Sequence, residues 1–457
     1  MDKYQITRRA FLTAATTTAA ALTGCATKPS KARVVPGKVS PMEKVNVAGI
    51  GVGGKGADDL NQLSNLGANI VALCDVDERS TMRASEKFPN ARCFKDYRVM
   101  LEQMPEIDAV TVSTPDHTHA PAAYMAMSLG KHVYVQKPLT HTVAEARLLL
   151  DTARKAGVAT QMGNQGHSGA GVRELCEMIW SGAIGPVHTV HAWTNRPSWP
   201  QGIPDPLPEQ EVREGLDWDL WIGTDPMRPY NEGYCPGRWR GWWDFGAGAL
   251  GDMACHIMDP VFWGLKLTEA AEYTVEVVKE EGANTQTFPK SSVLKYSFPA
   301  RGDMAAVDVY WYDGGNLPPW PEGVPEDQRL GSGRTLDRSN GTYFVGDDGM
   351  ITVGCYGGNP RLIPDERMAD YKMPKPSLKR IAFSHYANWL EACTGGDPAC
   401  SNFEYSAPFT EMVLFGNLAI RAGKQLHWDS QQGTITNVDD PEALLSKPYR
   451  AGWELPV

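Results

Sequence analysis

One predicted helix places an acid and a base where both could act on the same proton. Asp252 and His256 lie four residues apart in the stretch Asp252–Asp259, so they share one face of the helix. An aspartate in this position can orient an imidazole that transfers a proton of a substrate. Two other interpretations remain open: a buried histidine hydrogen-bonded to an acid, and a metal site that includes Asp259.

A glycine-rich turn earlier in the chain could bind a phosphate. Gly51, Gly53 and Gly56 follow an apolar run that begins at Val45, and they fit the pattern G-x-G-x-x-G before a helical stretch. The first glycine permits a tight turn, and the second lets the backbone approach a pyrophosphate. The third lets the helix pack closely on the strand, so that its amide-rich N-terminus meets the phosphates. Glycine-rich turns of purely structural origin share this pattern, so the turn alone is a weak signal.

An acidic residue at a suitable distance strengthens the dinucleotide interpretation. The apolar run Asn69–Cys74 ends in Asp75, about 20 residues beyond the glycines. A carboxylate there accepts hydrogen bonds from the adenosine ribose and repels a 2′-phosphate, which favours NAD over NADP. Arg79 lies nearby and could accommodate a phosphate, so NADP remains the less favoured alternative.

The first part of the chain alternates predicted strands with predicted helices. This alternation is typical of an α/β domain in which a parallel sheet is doubly wound by helices, and ligands then bind beyond the carboxyl ends of the strands. The predicted strands are Val45–Ile50, Asn69–Cys74, Arg92–Phe94, Asp108–Ser113, His132–Val135 and Val158–Met162.

Two strand ends carry motifs that resemble a known family. Thr114-Pro115-Asp116-His117-Thr118-His119 follows the fourth strand, and Gln136-Lys137-Pro138 follows the fifth. Together they resemble the Gfo/Idh/MocA oxidoreductases, named for glucose–fructose oxidoreductase and inositol dehydrogenase. Members of that family typically carry Thr-Pro-x-x-x-His and Glu-Lys-Pro at these places. The resemblance extends from Val45 to about Trp428.

The resemblance implies roles for residues at the strand ends. Lys137 would lie between the nicotinamide and the substrate, bond the reacting hydroxyl and help a proton move, with Pro138 fixing its direction. Thr114, Pro115 and His119 would line the nicotinamide side. His117 has a weaker case, because loop histidines are commonly solvated or capping residues.

Further cofactor contacts are implied at the end of the sixth strand and beside the lysine. Asn164 and Gln165 would face the cofactor and the substrate from the hinge. Gln136 stands where the family usually has a glutamate, and a neutral amide supports a lysine ammonium less than a carboxylate would. Within the Asp-x-x-x-His motif of the family, His256 would be the acid/base and Asp252 a substrate ligand or second base.

The second half of the chain has a different order of predicted strands and helices. Few helices are predicted between its strands, so an α+β domain with a mostly antiparallel open sheet and helices on one side is expected. The resemblance implies that this domain serves substrate binding and contacts within a homo-oligomer. The predicted strands are Val187–Thr194, Tyr273–Lys279, Ser292–Phe298, Ala305–Tyr312, Thr342–Val345 and Met350–Val353.

Aromatic residues and long loops could complete a sugar site in this domain. Trp239, Trp242 and Trp243 flank Arg240, an arrangement that suits either the faces of a sugar ring or a hydrophobic core. Two long segments rich in loop-forming residues could cover a site. They are Pro197–Tyr234 and Gly314–Asn340.

The beginning of the chain is typical of an export signal. Thr7–Leu12 contains the paired arginines of a twin-arginine signature, and a small-residue apolar run follows, too short to span a bilayer as a mature helix. Leu22–Cys25 resembles a lipoprotein cleavage box with Cys25 as the lipidated residue, and cleavage nearby without lipidation is the alternative. We expect an exported protein of the periplasm or cell envelope, anchored to the membrane only through that lipid.

These patterns predict the following organisation: a signal over residues 1–24, a tether over 25–42, a Rossmann domain over 43–165, a second domain over 166–430 and a tail over 431–457. The net charge of −10 argues against nucleic acid as a partner.

The whole sequence predicts an oxidoreductase that binds NAD tightly and acts on a sugar or sugar derivative, with no metal ion required. Two alternatives remain. The first is a glycoside hydrolase that uses tightly bound NAD through a transient keto-sugar, and the second is a non-catalytic sugar-binding protein. Intact Lys137, Asp252 and His256 argue against the second.

Overall fold

The first domain is built on a parallel sheet. The computed structural model describes residues 44–331 and 339–457, and within them this sheet has six strands in the order β3-β2-β1-β4-β5-β6. All the pairings are parallel, and the order changes direction beside β1, which confirms the predicted doubly wound architecture. The strands are β1 (Asn46–Ile50), β2 (Asn69–Cys74), β3 (Arg92–Phe94), β4 (Ala109–Val112), β5 (His132–Val135) and β6 (Thr160–Met162).

Local capping sequences set the boundaries of the helices in this domain. The side chains of Asp77 and Asp96 accept hydrogen bonds from the first turns of α2 and α3, and Thr142 forms a capping box with Glu145 at α5. Because α1 and α4 follow β1 and β4, their first turns lie at the carboxyl edge of the sheet. The helices are α1 (Gly54–Asn65), α2 (Glu78–Lys87), α3 (Tyr97–Gln103), α4 (His119–Ser128) and α5 (Val143–Ala156).

The second domain contains a larger mixed sheet. In the described part of the chain it has nine strands, ordered β13-β12-β11-β7-β10-β9-β8-β14-β15, and only β7 and β10 pair in parallel. The predicted, mostly antiparallel sheet is therefore confirmed, and the short strands β13 to β15 were not predicted. The strands are β7 (Val187–Thr194), β8 (Glu272–Glu281), β9 (Ser291–Phe298), β10 (Val307–Tyr312), β11 (Asn340–Gly346), β12 (Gly349–Val353), β13 (Arg361–Ile363), β14 (Leu426–Asp429) and β15 (Thr434–Ile435).

Helices cover one face of the mixed sheet and a loop covers the other. α8 and α12 pack on the face that carries Val190 and Phe344. The prediction that Gly314–Asn340 covers a site was wrong for its described part, because Val324 and Leu330 pack on Trp193 at the opposite face. The helices are α6 (Ala170–Trp180), α7 (Trp218–Ile222), α8 (Gly248–Ile257), α9 (Asp259–Gly264), α10 (Glu366–Ala369), α11 (His385–Cys393), α12 (Phe403–Ala422) and α13 (Glu442–Leu445).

The C-terminal part of the chain returns to the first domain. Tyr386 and Trp389 of α11 pack on Tyr134 of β5, and the amide of Met162 donates to the carbonyl of Ser401 at 2.9 Å. Beyond β15, the Arg98 guanidinium lies 4.2 Å from the centre of the Trp453 ring. Parts of the predicted second domain and tail therefore complete the first domain.

The predicted signal, lipidation site and tether lie outside the described residues. Across the ranges 44–331 and 339–457, no helix combines the length and the apolar character needed to cross a membrane.

Candidate active site

A single cleft of about 1240 Å³ runs along the carboxyl edge of the parallel sheet and extends under the second domain. We call the part formed by residues 51–55 and Asp75 the nucleotide end. The part formed by Lys137, Arg196, Arg240, Asp252 and His256 is the substrate end. This is where a parallel α/β sheet binds ligands.

The glycines of the nucleotide end are required by the backbone. Gly51 has φ of +77°, and a Cβ there would lie 2.6 Å from the carbonyl oxygen of Ser113. A Cβ on Gly56 would overlap the carbonyl oxygen of Gly51, so only glycine lets α1 approach the turn. Gly53 precedes α1 and no side chain caps that helix, which leaves its first amides available to an anion. This geometry fits a pyrophosphate.

Asp75 lies at the end of β2, beside the glycine turn. Its carboxylate accepts hydrogen bonds from the amides of Val52 and Asp77, both at 2.9 Å. Burial raises the pKa of Asp75 above its ordinary value, although the same amides act in the opposite direction. A carboxylate offers about four acceptor sites, so Asp75 could still accept a ribose hydroxyl, and the residues of this end fit a dinucleotide.

A buried carboxylate behind the turn joins four elements. Asp59 of α1 accepts hydrogen bonds from Ser113, Gln136 and Tyr386 at 2.7 to 3.1 Å and pairs with Lys55 at 2.8 Å. Burial opposes the charge of Lys55, but the contacts with Asp59, Asp58 and Tyr386 together outweigh burial, and the pKa of the lysine lies above its ordinary range. The amide of Gln136 is thus a donor to Asp59, and a glutamate there would bring two carboxylates into contact.

Lys137 forms the centre of the substrate end. It follows β5, and its bond to Pro138 is cis. Its ammonium donates to the carbonyl oxygen of Asp252 at 2.7 Å and to the carboxylate of the same residue at 2.8 Å. Burial would raise the pKa of Asp252, but Lys137 and Arg240 outweigh that effect and lower it to about 2. The carboxylate is therefore charged at neutral pH.

The interpretation that Asp252 orients His256 was wrong. Although the two residues share a face of α8, the carboxylate of Asp252 is held by Lys137 and Arg240 instead. His256 lines the cleft, and within the described residues its buried Nδ1 has no hydrogen-bond partner. Burial lowers the pKa of His256 to about 3, with Lys137 adding to the effect, so the imidazole is neutral.

Comparison with known protein families gives one match in each of the two domains. Residues 45–164 match the family description "Oxidoreductase family, NAD-binding Rossmann fold", and residues 171–296 match "Oxidoreductase family, C-terminal alpha/beta domain". The chain belongs to the Gfo/Idh/MocA oxidoreductase family. The two matches together cover more than half of its residues.

Curated relatives of this chain include proteins named as glycosyl hydrolases. An alpha-N-acetylgalactosaminidase of Shewanella oneidensis is 32% identical over 219 residues, which are 43% of this chain and 48% of the relative. A glycosyl hydrolase family 109 protein of Shewanella amazonensis is 36% identical over 167 residues, or 32% of this chain and 37% of the relative. The chain spans about half the length, or less, of the curated relatives it matches.

Solved structures share the fold at low sequence identity. The WlbA dehydrogenase of Bordetella pertussis, in complex with NADH and UDP-GlcNAcA, matches with a TM-score of 0.58 and 16% identity, over 84% of this chain and 98% of that one. The aldose–aldose oxidoreductase of Caulobacter crescentus, complexed with glycerol, matches with a TM-score of 0.55 and 16% identity, over 84% and 99%.

Two residues that the family resemblance assigns to the cofactor site, His119 and Asn164, do not line the cleft. His119 is buried, and its ring nitrogens lie 2.9 Å from the carbonyl oxygens of Pro138 and Thr114, so it ties together the loops after β4 and β5. Asn164 is buried against Asp259 and does not reach the cleft. Thr114, Pro115, Gln136 and Gln165 do line it.

Two other polar residues from the sequence interpretation are engaged inside the protein. His117 lies between the carbonyl oxygens of Phe245 and Trp221, at 3.2 and 3.0 Å. Asp259 accepts hydrogen bonds from Tyr405 at 2.7 Å and His167 at 3.0 Å. In the part of the chain that the structure describes, no group of three or more acidic, histidine or cysteine residues is arranged to hold a metal ion.

The tryptophans before α8 divide between the two interpretations left open by the sequence. Trp239 lines the cleft, and the Arg240 guanidinium lies 4.2 Å from its ring centre. Trp242 is fully buried in a hydrophobic cluster, and Trp243 packs on Phe288. Of these three tryptophans, only Trp239 lines the cleft.

Sequence reasoning missed several residues of the site. Arg196 and Tyr356 follow β7 and β12, and no motif distinguishes them from other polar loop residues. Tyr386 belongs to a helix to which no chemistry was assigned. Asp116 was part of a recognised motif, and its position inside Thr114–His119 was the only available signal. Burial raises the pKa of Asp116 to about 7 despite the opposing charges of Arg240 and Lys137.

Proposed function

We propose that this protein is an NAD-dependent oxidoreductase that exchanges hydride with a sugar or sugar derivative, using Lys137 and His256 for proton transfer. The observation that carries the proposal is the position of the Lys137 ammonium, which Asp252 holds at the end of a cleft whose other end fits a dinucleotide. When bound, the nicotinamide would supply hydride acceptance and return at its C4 atom.

Lys137 has the donors that this role needs. Two of its three N–H groups are used by Asp252, and among the described residues the third has no hydrogen-bond partner, so it can bind the oxygen on the reacting carbon of a substrate. His256 lines the same cleft, and we assign its imidazole as the group that accepts the hydroxyl proton. General acid–base help of this kind contributes about 10²- to 10⁴-fold in rate.

We propose NAD as the cofactor, with NADP less favoured. Asp75 stands where a ribose would be bound, and its charge repels a 2′-phosphate. Arg79, the residue that could favour NADP, pairs with Asp77 at 3.2 Å. That pairing leaves the arginine less available to a phosphate.

A glycoside hydrolase reaction is the second candidate, and the names of the curated relatives favour it. In this reaction one hydroxyl of a glycoside is oxidised, and the new carbonyl acidifies the neighbouring C–H bond. Loss of that proton expels the glycosidic leaving group, water adds, and hydride returns to the carbonyl. The redox state is then unchanged after each turnover.

We further propose that the protein is exported folded through its twin-arginine signal, anchored through Cys25, and that it forms a homo-oligomer. Little free dinucleotide is present outside the cytoplasm, so an exported enzyme has to retain its NAD. Both a two-substrate redox cycle and the hydrolase reaction satisfy that condition.

A panel of glycosides, incubated with purified protein and followed by mass spectrometry, tests the proposed function. Oxidised or reduced sugars would support the oxidoreductase, and free sugar plus aglycone would support the hydrolase. Absence of any product across neutral, amino and acidic glycosides, from protein that contains dinucleotide, would contradict both.

A further inference from the structure

Three cationic side chains from separate elements meet at the substrate end. Lys137 follows β5, Arg196 follows β7 and Arg240 lies in the short turn before α8. All three face the carboxylate of Asp252, with nitrogen–oxygen distances of 2.8, 3.8 and 3.2 Å respectively. The single negative charge of Asp252 therefore faces three positive charges.

The other groups at this end do not supply the missing negative charge. Asp116 is the second carboxyl group near these cations, and because burial raises its pKa to about 7, it carries only part of a charge near neutrality. His256 is neutral. At the nucleotide end, by contrast, Lys55 pairs with both Asp58 and Asp59. At the substrate end, three cations therefore face one fully charged carboxylate.

The two arginines also have donors that the protein leaves unused. Arg240 donates to Asp252 through Nε and to the carbonyl oxygen of Gly237 through Nη1 at 3.4 Å. Arg196 donates through Nη1 to the side chain of Asn195 at 2.8 Å. Among the described residues neither Nη2 atom has a hydrogen-bond partner, and both side chains line the cleft with about a third of their surface exposed, 34% and 33%.

The environment of Arg240 prepares its guanidinium for a ligand. The guanidinium lies 4.2 Å from the ring centre of Trp239 and 5.8 Å from that of Trp199. These aromatic contacts restrict its orientation. A fixed guanidinium matches the geometry of a carboxylate or another planar set of anionic oxygens, and little entropy is lost when it binds.

We propose that the substrate is an acidic carbohydrate, whose anionic oxygen group is bound by Arg196 and Arg240 while its reacting hydroxyl meets Lys137. The proposal rests on the proposed function, because it assigns the substrate class of the same site. A neutral sugar would cover these guanidinium groups without replacing the water that solvates them, which costs free energy. A carboxylate, as in a uronic acid, or a sulfate ester supplies the required charge.

Equilibrium binding to the dinucleotide-containing protein tests the proposal without requiring turnover. Calorimetric titrations would compare galacturonate and glucuronate with galactose and glucose, and with the 6-sulfate esters of those two sugars. We expect at least one acidic sugar to bind about tenfold or more tightly than its neutral counterpart. Tighter binding of the uronate identifies a carboxylate as the source of the anion, and tighter binding of the ester identifies a sulfate.

Variants connect the preference to the two arginines. Arg196→Gln and Arg240→Gln are each expected to lower the affinity for the preferred acidic sugar about tenfold and to cause no such loss for the neutral sugar. Arg238→Gln is the matched control, because this exposed arginine lies in the same turn as Arg240 but does not line the cleft. Should Arg240→Gln fail to fold, Arg240→Lys is the substitute. It keeps the positive charge beside Asp252 and removes only the planar guanidinium group with its paired donors.

Two results would overturn the proposal: equal affinity for acidic and neutral sugars in the unchanged protein, or equal losses for both sugars in the arginine variants. The proposed function fails separately. Selective binding of an acidic sugar that is never oxidised or cleaved would support the anion site and contradict the proposed reaction. Turnover of neutral sugars with no preference for acidic ones would support the reaction and contradict the anion site.

Discussion

The nucleotide end of the cleft comes from one continuous stretch of chain, whereas the substrate end is assembled from elements far apart in sequence. Residues 51–55 and Asp75 belong to the turn after β1, the start of α1 and the end of β2. Lys137, Arg196, Arg240 and Asp252 come from separate elements of both domains. The first end depends on backbone geometry, and the second depends on the balance of charge among side chains.

This difference makes the two ends separately accessible to mutation. A side-chain change at the substrate end should leave the glycine turn and its dinucleotide in place. A backbone change at the nucleotide end should remove the dinucleotide and leave the cations around Asp252 unaltered. The following predictions test that separation, from the largest expected effect to the smallest.

Lys137→Ala should abolish most turnover without releasing the cofactor. The variant removes the ammonium that Asp252 holds at the substrate end, and loss of acid–base help of this kind lowers rate about 10²- to 10⁴-fold. Product formation and dinucleotide content measured on the same preparation check both halves of the prediction. Lys155→Ala, at an exposed position outside the cleft, is the control. Near-normal turnover would remove Lys137 from the mechanism.

Gly56→Ala should release the cofactor and leave the side chains of the substrate end in place. Its Cβ would overlap the carbonyl oxygen of Gly51, so α1 has to move away from the turn. We expect dinucleotide content to fall about tenfold or more, and the free energy of unfolding to fall by about 1–3 kcal/mol. Gly358→Ala is the control, because a Cβ there meets nothing within 4 Å. Full cofactor content in Gly56→Ala would contradict a phosphate site at this turn.

Asp116→Asn should give a smaller effect that depends on pH. Burial raises the pKa of Asp116 to about 7 in the folded protein, against about 3.9 in an unfolded chain. Between these values the folded state holds a proton that the unfolded chain has lost, so this group's contribution to stability decreases as pH rises. The expected slope is at most about 1.4 kcal/mol per pH unit.

Denaturant unfolding of the unchanged protein and of Asp116→Asn at several pH values between about 4.5 and 6.5 isolates that slope. The stability of the unchanged protein relative to the variant should fall as pH rises. Asp370→Asn, at an exposed position, controls for a general change in charge. A difference that stays constant, or that grows with pH, would show that Asp116 is not protonated in the folded state.

The sequence predicted the first domain well because its signals are local. Apolar runs followed by Gly51–Gly56 and Asp75 specify a strand, a turn and a ligand edge without distant contacts. The family motifs also pointed to Lys137. His119 and Asn164 do not line the cleft, since a position in the chain does not give the direction in which a buried side chain points.

The rest of the site could not be predicted because it depends on distant pairings. The four-residue spacing of Asp252 and His256 suggested that they interact, yet Lys137 and Arg240 are stronger partners for the carboxylate. The glutamine at position 136 is explained by Asp59, whose carboxylate accepts a hydrogen bond from the amide of Gln136. Tyr386 reaches the same carboxylate from a helix near the C-terminus. None of these pairs has a signature in sequence spacing.

The most direct test of the account is whether the purified protein already carries the cofactor it uses. The mature protein would be denatured and the supernatant assayed for dinucleotide, and the absorbance of reduced nicotinamide would be followed while intact protein acts on its preferred sugar. We predict NAD(H) in near-equimolar amount and turnover without accumulation of free NADH. An empty protein that consumes added NAD one-for-one with substrate would contradict the account.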